Sequence, residues 1–146
     1  MYFIAKRLFD YLFCLIGLII LAVLIVPFSI IIKLSSFGPI FFTQNRVGKN
    51  GKIFILYKFR SMKNGSEEDG AVWAQKNDPR TFPFGNFLRK SRLDEIPQFI
   101  NVLKGDMSIV GPRPERPEFL PLLSSKIKDY SLRQSVLPGV TGYAQV

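Results

Sequence analysis

From Leu8 to Leu34 the chain is almost uninterruptedly apolar, broken among polar and charged side chains by Asp10, Ser29 and Lys33. A helix of roughly 20 apolar residues reaches across a bilayer, so this stretch is read as a membrane element. A cleaved signal peptide fits poorly, because the run is too long and no small-residue cleavage site follows it. Pro27 lies within the run, where it removes a backbone hydrogen bond and bends a helix. Lys6 and Arg7 precede the run, and Lys33, Arg46, Lys49 and Lys52 follow it. The preference of basic residues for the cytoplasmic side therefore pulls both ends the same way. A re-entrant helix that bends near Pro27 satisfies both pulls, and a kinked spanning helix, which membrane segments tolerate, is the alternative. In either, Ser29 is a nearby donor for carbonyls released by Pro27.

The remainder reads as a small mixed α/β unit. Residues 1–36 are assigned to the anchor and 37–146 to a catalytic domain. A strand is expected over Pro39 to Val47, a tight turn at Gly48-Lys49-Asn50-Gly51, and a second strand over Lys52 to Phe59. Both faces of the second strand are largely apolar, which predicts burial on both sides. Asn64 to Gly70, with Glu67, Glu68 and Asp69, reads as an exposed acidic loop. Phe82, Phe84, Phe87 and Leu88 alternate with Arg89 and Lys90, either as an amphipathic helix on a membrane surface or as core packing. Ile96, Phe99, Ile100 and Leu103 share one helical face. A short strand over Asp106 to Val110 and a helix over Glu118 to Val136 complete the expected elements.

Charge and composition narrow the chemistry. A formal net charge of +9 calls for an anionic partner: nucleic acid, anionic lipid or a phosphorylated substrate. The sequence has no histidine and one cysteine, Cys14, which excludes a structural zinc site and an internal disulfide. Cys14, inside the apolar run, is read as a small buried hydrophobe. Any acid, base or nucleophile must come from another residue type. Asp94 and Glu95, adjacent in Ser91-Arg92-Leu93-Asp94-Glu95-Ile96-Pro97-Gln98, are the natural candidates. Carboxylates at a helix start also act as caps, and Ser91-x-x-Asp94 resembles a capping box. The functional alternative uses the same physics, since a helix N-terminus and nearby cations keep a carboxylate ionised. An ionised Asp94 can attack phosphorus, and Glu95 can offer a hard oxygen to a divalent cation. Lys58 and Arg60 at a strand end, and Arg113 in the stiff Gly111-Pro112-Arg113-Pro114 loop, can meet the phosphates; solvated surface charges are the plain alternative for the strand-end pair.

These segments, taken in order, resemble the bacterial sugar transferases, the monotopic phosphoglycosyl transferases that start glycan assembly on a polyprenol phosphate. The matching pieces are Lys6-Arg7-Leu8-Phe9-Asp10, Gly38-Pro39-Ile40-Phe41-Phe42, Gln44-Asn45-Arg46-Val47-Gly48 and Tyr57-Lys58-Phe59-Arg60-Ser61-Met62. Further on they are Asp78-Pro79-Arg80-Thr81, Leu93-Asp94-Glu95-Ile96-Pro97-Gln98, Val110-Gly111-Pro112-Arg113-Pro114-Glu115 and Pro138-Gly139-Val140-Thr141-Gly142. The resemblance implies a non-spanning anchor broken at Pro27. It implies that Asp94 attacks the β-phosphate of a nucleoside diphosphate sugar, usually a UDP-sugar, with UMP leaving. The phosphosugar then passes from Asp94 to a polyprenol phosphate, typically undecaprenyl phosphate. It implies Mg²⁺ held with the help of Glu95, and Lys58 and Arg113 facing the substrate phosphates. It also places the protein at the cytoplasmic face of the bacterial inner membrane, with homodimer formation left open. Nucleic acid explains the charge but not the anchor and is set aside. Small members of the family usually continue past the Thr-Gly-x-Ala-Gln-Val sequence that ends at Val146. A fragment or truncated product is therefore expected, with an inactive membrane-bound interaction protein as the alternative.

Overall fold

The computed structural model describes residues 2–67, 70, 72–73, 75, 78–143 and 145. Helix α1 spans Tyr2–Ser35. Strands β1 (Phe41–Val47) and β2 (Ile53–Phe59) form an antiparallel hairpin in the register Phe41↔Phe59 to Val47↔Ile53. Asn50 (φ 55°) and Gly51 (φ 77°) sit in the left-handed region at its turn, as the Asn-Gly pair predicts. Helix α2 (Pro83–Lys90) leads into a 3-10 helix, Leu93–Gln98, which runs directly into α3 (Phe99–Lys104). Strand β3 (Ser108–Val110) pairs in parallel with β4 (Gly139–Thr141), and α4 (Leu120–Lys126) lies between them in sequence.

The apolar run does more than present a hydrophobic surface. Asp10, Cys14, Leu21, Phe28 and Ile32 are buried, at the three- and four-residue spacing that makes one helical stripe. Phe28 meets the rings of Phe59 and Phe84 edge-on, with centroids 5.5 and 5.4 Å away. Cys14 Sγ donates to the carbonyl of Phe99 at 3.1 Å, so the cysteine is buried, as its sequence context suggests. Gly17 permits this approach, because a Cβ there would lie 2.5 Å from the Phe99 ring. The opposite face leaves Leu8, Leu12, Leu15, Ile19, Val23 and Val26 exposed.

Both ends of α1 are tied to the same body. At the start, Asp10 accepts from Ser108 Oγ and the Ile109 amide, each at 2.9 Å. Arg7 donates to the carbonyls of Met107 and Val102, both at 3.2 Å, and Lys6 reaches Ser108. At the far end, Arg60 donates to the carbonyls of Ser36 and Phe37. The anchor and the α/β unit are therefore packed together along the helix. Helix α1 continues through Pro27. Ser29 Oγ donates to the carbonyl of Ile25, one turn back; the carbonyl that the proline ring releases is that of Val23, four residues before it.

Several expectations need correcting. Strand β2 buries Phe54 and Leu56 but leaves Ile53 and Ile55 half exposed, so its early part is covered on one face. The tail of the strand differs because Phe59, on the opposite side, stacks against Phe41 at 5.4 Å. The helix expected from Asp94 starts as a 3-10 helix, whose three-residue turn brings Ile96, Phe99 and Val102 into line. Val102 is fully buried and Leu103 is 54% exposed, the reverse of what a continuous α-helix demands. The helix expected over Glu118 to Val136 is broken. Ile127 is extended and Asp129 is left-handed (φ 57°), after which a 3-10 helix spans Tyr130–Ser135. The turn-rich C-terminal stretch supplies β4. Gly139 lets it close on β3, since a Cβ there would meet the Gly111 amide nitrogen at 2.1 Å. Helix α2 divides its apolar residues: Leu88 is fully buried with Phe82 just before it, while Phe87 is exposed. Burying a side chain of Leu or Phe size contributes about 1.5–3 kcal/mol, so α2 is held mainly by the core.

Candidate active site

The acidic pair sits where three elements meet. Asp94 and Glu95 are buried in the first turn of the 3-10 helix, at 7% and 8% exposure. Arg92, which precedes that turn, has a left-handed backbone (φ 60°), a conformation that costs a non-glycine residue energy. It is tied by a 2.6 Å bond from its guanidinium to the carbonyl of Gln145. The capping box read from Ser91-x-x-Asp94 does not form. Ser91 Oγ instead donates back to the carbonyls of Phe87 and Leu88 at the end of α2.

Lys58, near the end of β2, donates to Glu95 Oε1 at 2.6 Å. Arg113, from the proline-flanked loop, approaches the same oxygen at 3.7 Å. The loop is fixed through its backbone, as Pro112 accepts from the Gly139 amide and Pro114 accepts from the Arg46 guanidinium. Three sequence candidates, Lys58, Glu95 and Arg113, thus converge on one carboxylate beside Asp94. Arg60 has a different task. It is 4% exposed, and its two terminal nitrogens hold the end of α1, so its guanidinium is committed to the carbonyls there although it borders the same cavity. Pro27 and Ser29 lie on α1 and outside that cavity.

The two carboxylates are electrostatically unlike. Burial pushes the Asp94 carboxyl above its ordinary value, and Lys58 only partly opposes this. For Glu95, burial again raises the value. There the charge and hydrogen bond of Lys58, with Arg113 and Arg92, outweigh it and leave the carboxyl below its usual range. Among the described residues, no side chain donates to the Asp94 carboxylate. The pair therefore consists of an oriented, cation-bound glutamate and an aspartate held without such a partner. This corrects the expectation that nearby cations lower both. Burial at the 3-10 turn dominates at Asp94, where the cations are less direct.

A cavity of about 840 Å³ opens over the pair. Besides Lys58 and Arg113 it is bordered by Arg46, Arg80, Arg92 and Arg116, and by Trp73 and Phe119. Sequence reasoning did not place these four arginines at a site. The available signal was that each lies within one of the segments that carry the family resemblance, or next to it. The acidic loop is exposed at Asn64, Gly65 and Gly70, as its sequence suggests, but Glu67 is partly buried against the cavity. Glu67 contacts Arg116 Nη1 through both oxygens at 3.1 Å and accepts from Gln44 at 3.2 Å. Glu68 and Asp69 lie outside the described residues. Among the described residues no cluster of three or more acidic, cysteine or histidine side chains could hold a metal ion. The acidic pair thus offers a cation only a partial set of oxygens. That is the arrangement suited to a small hard cation that keeps its waters and completes its shell with substrate phosphates.

A buried carboxylate pair under a cavity rich in guanidinium groups has the charge to receive anionic, phosphorylated groups. The chain belongs to the bacterial sugar transferase family, which it matches over residues 1–146. A Bacillus subtilis relative, provisionally named an undecaprenyl-phosphate N-acetylgalactosaminyl 1-phosphate transferase, is 54% identical over 132 residues. The match covers 90% of this chain and 74% of that protein. The Aeromonas hydrophila UDP-N-acetylgalactosamine-undecaprenyl-phosphate N-acetylgalactosaminephosphotransferase is 47% identical, over 99% of this chain and 34% of its own. The UDP-glucose:undecaprenyl-phosphate glucose-1-phosphate transferase of Escherichia coli is 44% identical, over 97% of this chain and 30% of its own. The chain therefore spans about three quarters of the first relative and about a third of the other two.

Proposed function

We propose that the protein transfers a sugar 1-phosphate from a nucleoside diphosphate sugar, a UDP-sugar by analogy with the named relatives, to a polyprenol phosphate such as undecaprenyl phosphate. The observation that carries this is the divided carboxylate pair: among the described residues Asp94 has no side-chain donor, while Glu95 is gripped by Lys58 and Arg113 at the edge of an arginine-lined cavity. In the first step an Asp94 carboxylate oxygen attacks the β-phosphorus. The bond from that phosphorus to the oxygen bridging it to the α-phosphate breaks, and the nucleoside monophosphate leaves with the bridging oxygen. The phosphosugar is then joined to Asp94 as an acyl phosphate. In the second step a phosphate oxygen of the polyprenol phosphate attacks the same phosphorus, and Asp94 returns as a carboxylate.

The surrounding groups suit these steps. Burial removes water from the Asp94 carboxylate, which makes it a better nucleophile and protects an acyl phosphate from hydrolysis. Lys58 and Arg113 are placed to orient Glu95 and to face the incoming phosphate charge. The donor set fits Mg²⁺, for which Glu95 would supply an oxygen; when bound, the ion would neutralise phosphate charge.

The exposed apolar face of α1 suits lipid, and the acceptor is a lipid. With both ends of the helix tied to one body, a non-spanning arrangement in the bacterial inner membrane, active on its cytoplasmic face, is the reading we adopt. The test is Asp94→Asn in the full-length protein, with UMP release from a UDP-sugar as the readout. Release is expected to fall at least about a hundredfold, as removal of a nucleophile requires. Normal turnover by the variant would remove Asp94 from its role.

A further inference from the structure

The cavity continues beyond the carboxylate pair in a definite order. Arg113 touches Glu95, and Arg46 comes next. Its guanidinium donates to the carbonyl of Pro114 at 3.0 Å and the adjacent Val47 amide donates to the carbonyl of Glu115, so it lies along the segment that joins Arg113 to Arg116. The guanidinium of Arg116 lies over the ring of Phe119, 5.5 Å from its centroid. Phe119 in turn packs against the indole of Trp73, with ring centroids 4.5 Å apart and planes inclined at 37°. Trp73 keeps 53% of its surface exposed, and all of these residues border the one cavity.

The sequence of chemistries is a carboxylate pair, three guanidinium groups and then an aromatic platform. A nucleoside diphosphate sugar presents its groups in the same order, from the reacting phosphorus through the second phosphate to the base. We propose that Trp73 and Phe119 stack the base of the nucleotide donor, and that Arg116, with Arg46, holds its phosphate. This rests on the donor being a nucleotide sugar, and it adds where the nucleoside half sits. Two buried donors suit an anion. Arg46 Nε and Arg116 Nε are buried without a hydrogen-bond partner among the described residues, although the Arg116 atom has a Glu118 carboxylate 3.6 Å away. Glu67 meanwhile fills part of the Arg116 fork with a carboxylate. A phosphate binding there competes with Glu67, which predicts a variant with increased affinity.

Trp73 is the one tryptophan of this sequence, and a Trp73→Phe variant identifies its share of the fluorescence of the full-length protein. The experiment titrates UMP, uridine and glucose 1-phosphate into the full-length protein in detergent and follows that signal. UMP is expected to quench Trp73 saturably in both the parent protein and Asp94→Asn, and glucose 1-phosphate is expected to leave it unchanged. Phe119→Leu and Arg116→Ala should each weaken UMP binding roughly tenfold. Glu67→Gln should tighten it by about threefold or more, with unchanged thermal unfolding confirming that the variant is folded. Transfer activity with no response of Trp73 to UMP would overturn the platform and leave the catalytic reading standing. Quenching by geranyl phosphate in place of UMP would also overturn it, by giving the aromatic pair to the lipid acceptor. Failure of UMP binding by calorimetry, together with loss of transfer activity, would instead remove the nucleotide reading on which the platform rests.

Discussion

Asp94 and Glu95 are neighbours in sequence with opposite electrostatic fates, and the difference can be measured as stability. The Asp94 carboxyl is raised, chiefly by burial. Such a group stabilises the fold fully below its unfolded value and loses that contribution as pH rises through the folded value. Above the folded value the ionised Asp94 is therefore held at a cost. Glu95 is lowered, because Lys58 and Arg113 together outweigh its burial. Its contribution is present above the unfolded value and is lost as pH falls through the folded one. With EDTA present at pH 7.5, Asp94→Asn should raise the thermal unfolding midpoint and Glu95→Gln should lower it. Shifts in the same direction would show that the two carboxylates are not divided in this way. The identity of the pair was visible in the sequence, but its asymmetry was not. That depends on a 2.6 Å bond from a lysine 37 positions earlier, and local sequence suggested a capping box that Ser91 does not make.

At the scale of elements, α1 is a scaffold as well as an apolar surface. Its first turns are fastened by Asp10, which is 2% exposed and accepts from Ser108 and the Ile109 amide beside Lys6 and Arg7. These contacts set β3, and through it the β4 pairing that supports the Pro112–Pro114 loop and Arg113. Asp10→Ala leaves donors and cations without their acceptor, and should cost about 2–4 kcal/mol. Thermal unfolding in detergent checks this, and a change within error would show the clamp to be incidental. The sequence displayed Asp10 as one charge in an apolar run, with Lys6 and Arg7 at helical spacing before it. Their membrane-flanking reading was reasonable but incomplete, because their partners lie about a hundred residues away. The hairpin was legible because Asn50-Gly51 encodes its turn locally. The helix break at Ile127 and Asp129 and the parallel β3–β4 pair were not: the first rests on a left-handed aspartate and the second on close packing of Gly111 against Gly139.

For the whole molecule, the family and its order of segments were legible because the motifs recur along the entire chain. The cavity was not, because Arg46, Arg92, Arg116 and Trp73 meet only once β1, the 3-10 turn and the segment after Pro114 are assembled. Helix, hairpin and loop together place a buried carboxylate, without a side-chain donor among the described residues, beneath a basic cavity. The proposed two-step transfer requires covalent capture at that carboxylate. The measurement is intact-protein and peptide mass spectrometry after brief incubation of the full-length protein with a UDP-sugar and no lipid acceptor. A phosphosugar adduct on the peptide carrying Asp94 is predicted, absent in Asp94→Asn and discharged when undecaprenyl phosphate is added. UMP release that requires both substrates together, with no adduct at any time, would contradict it.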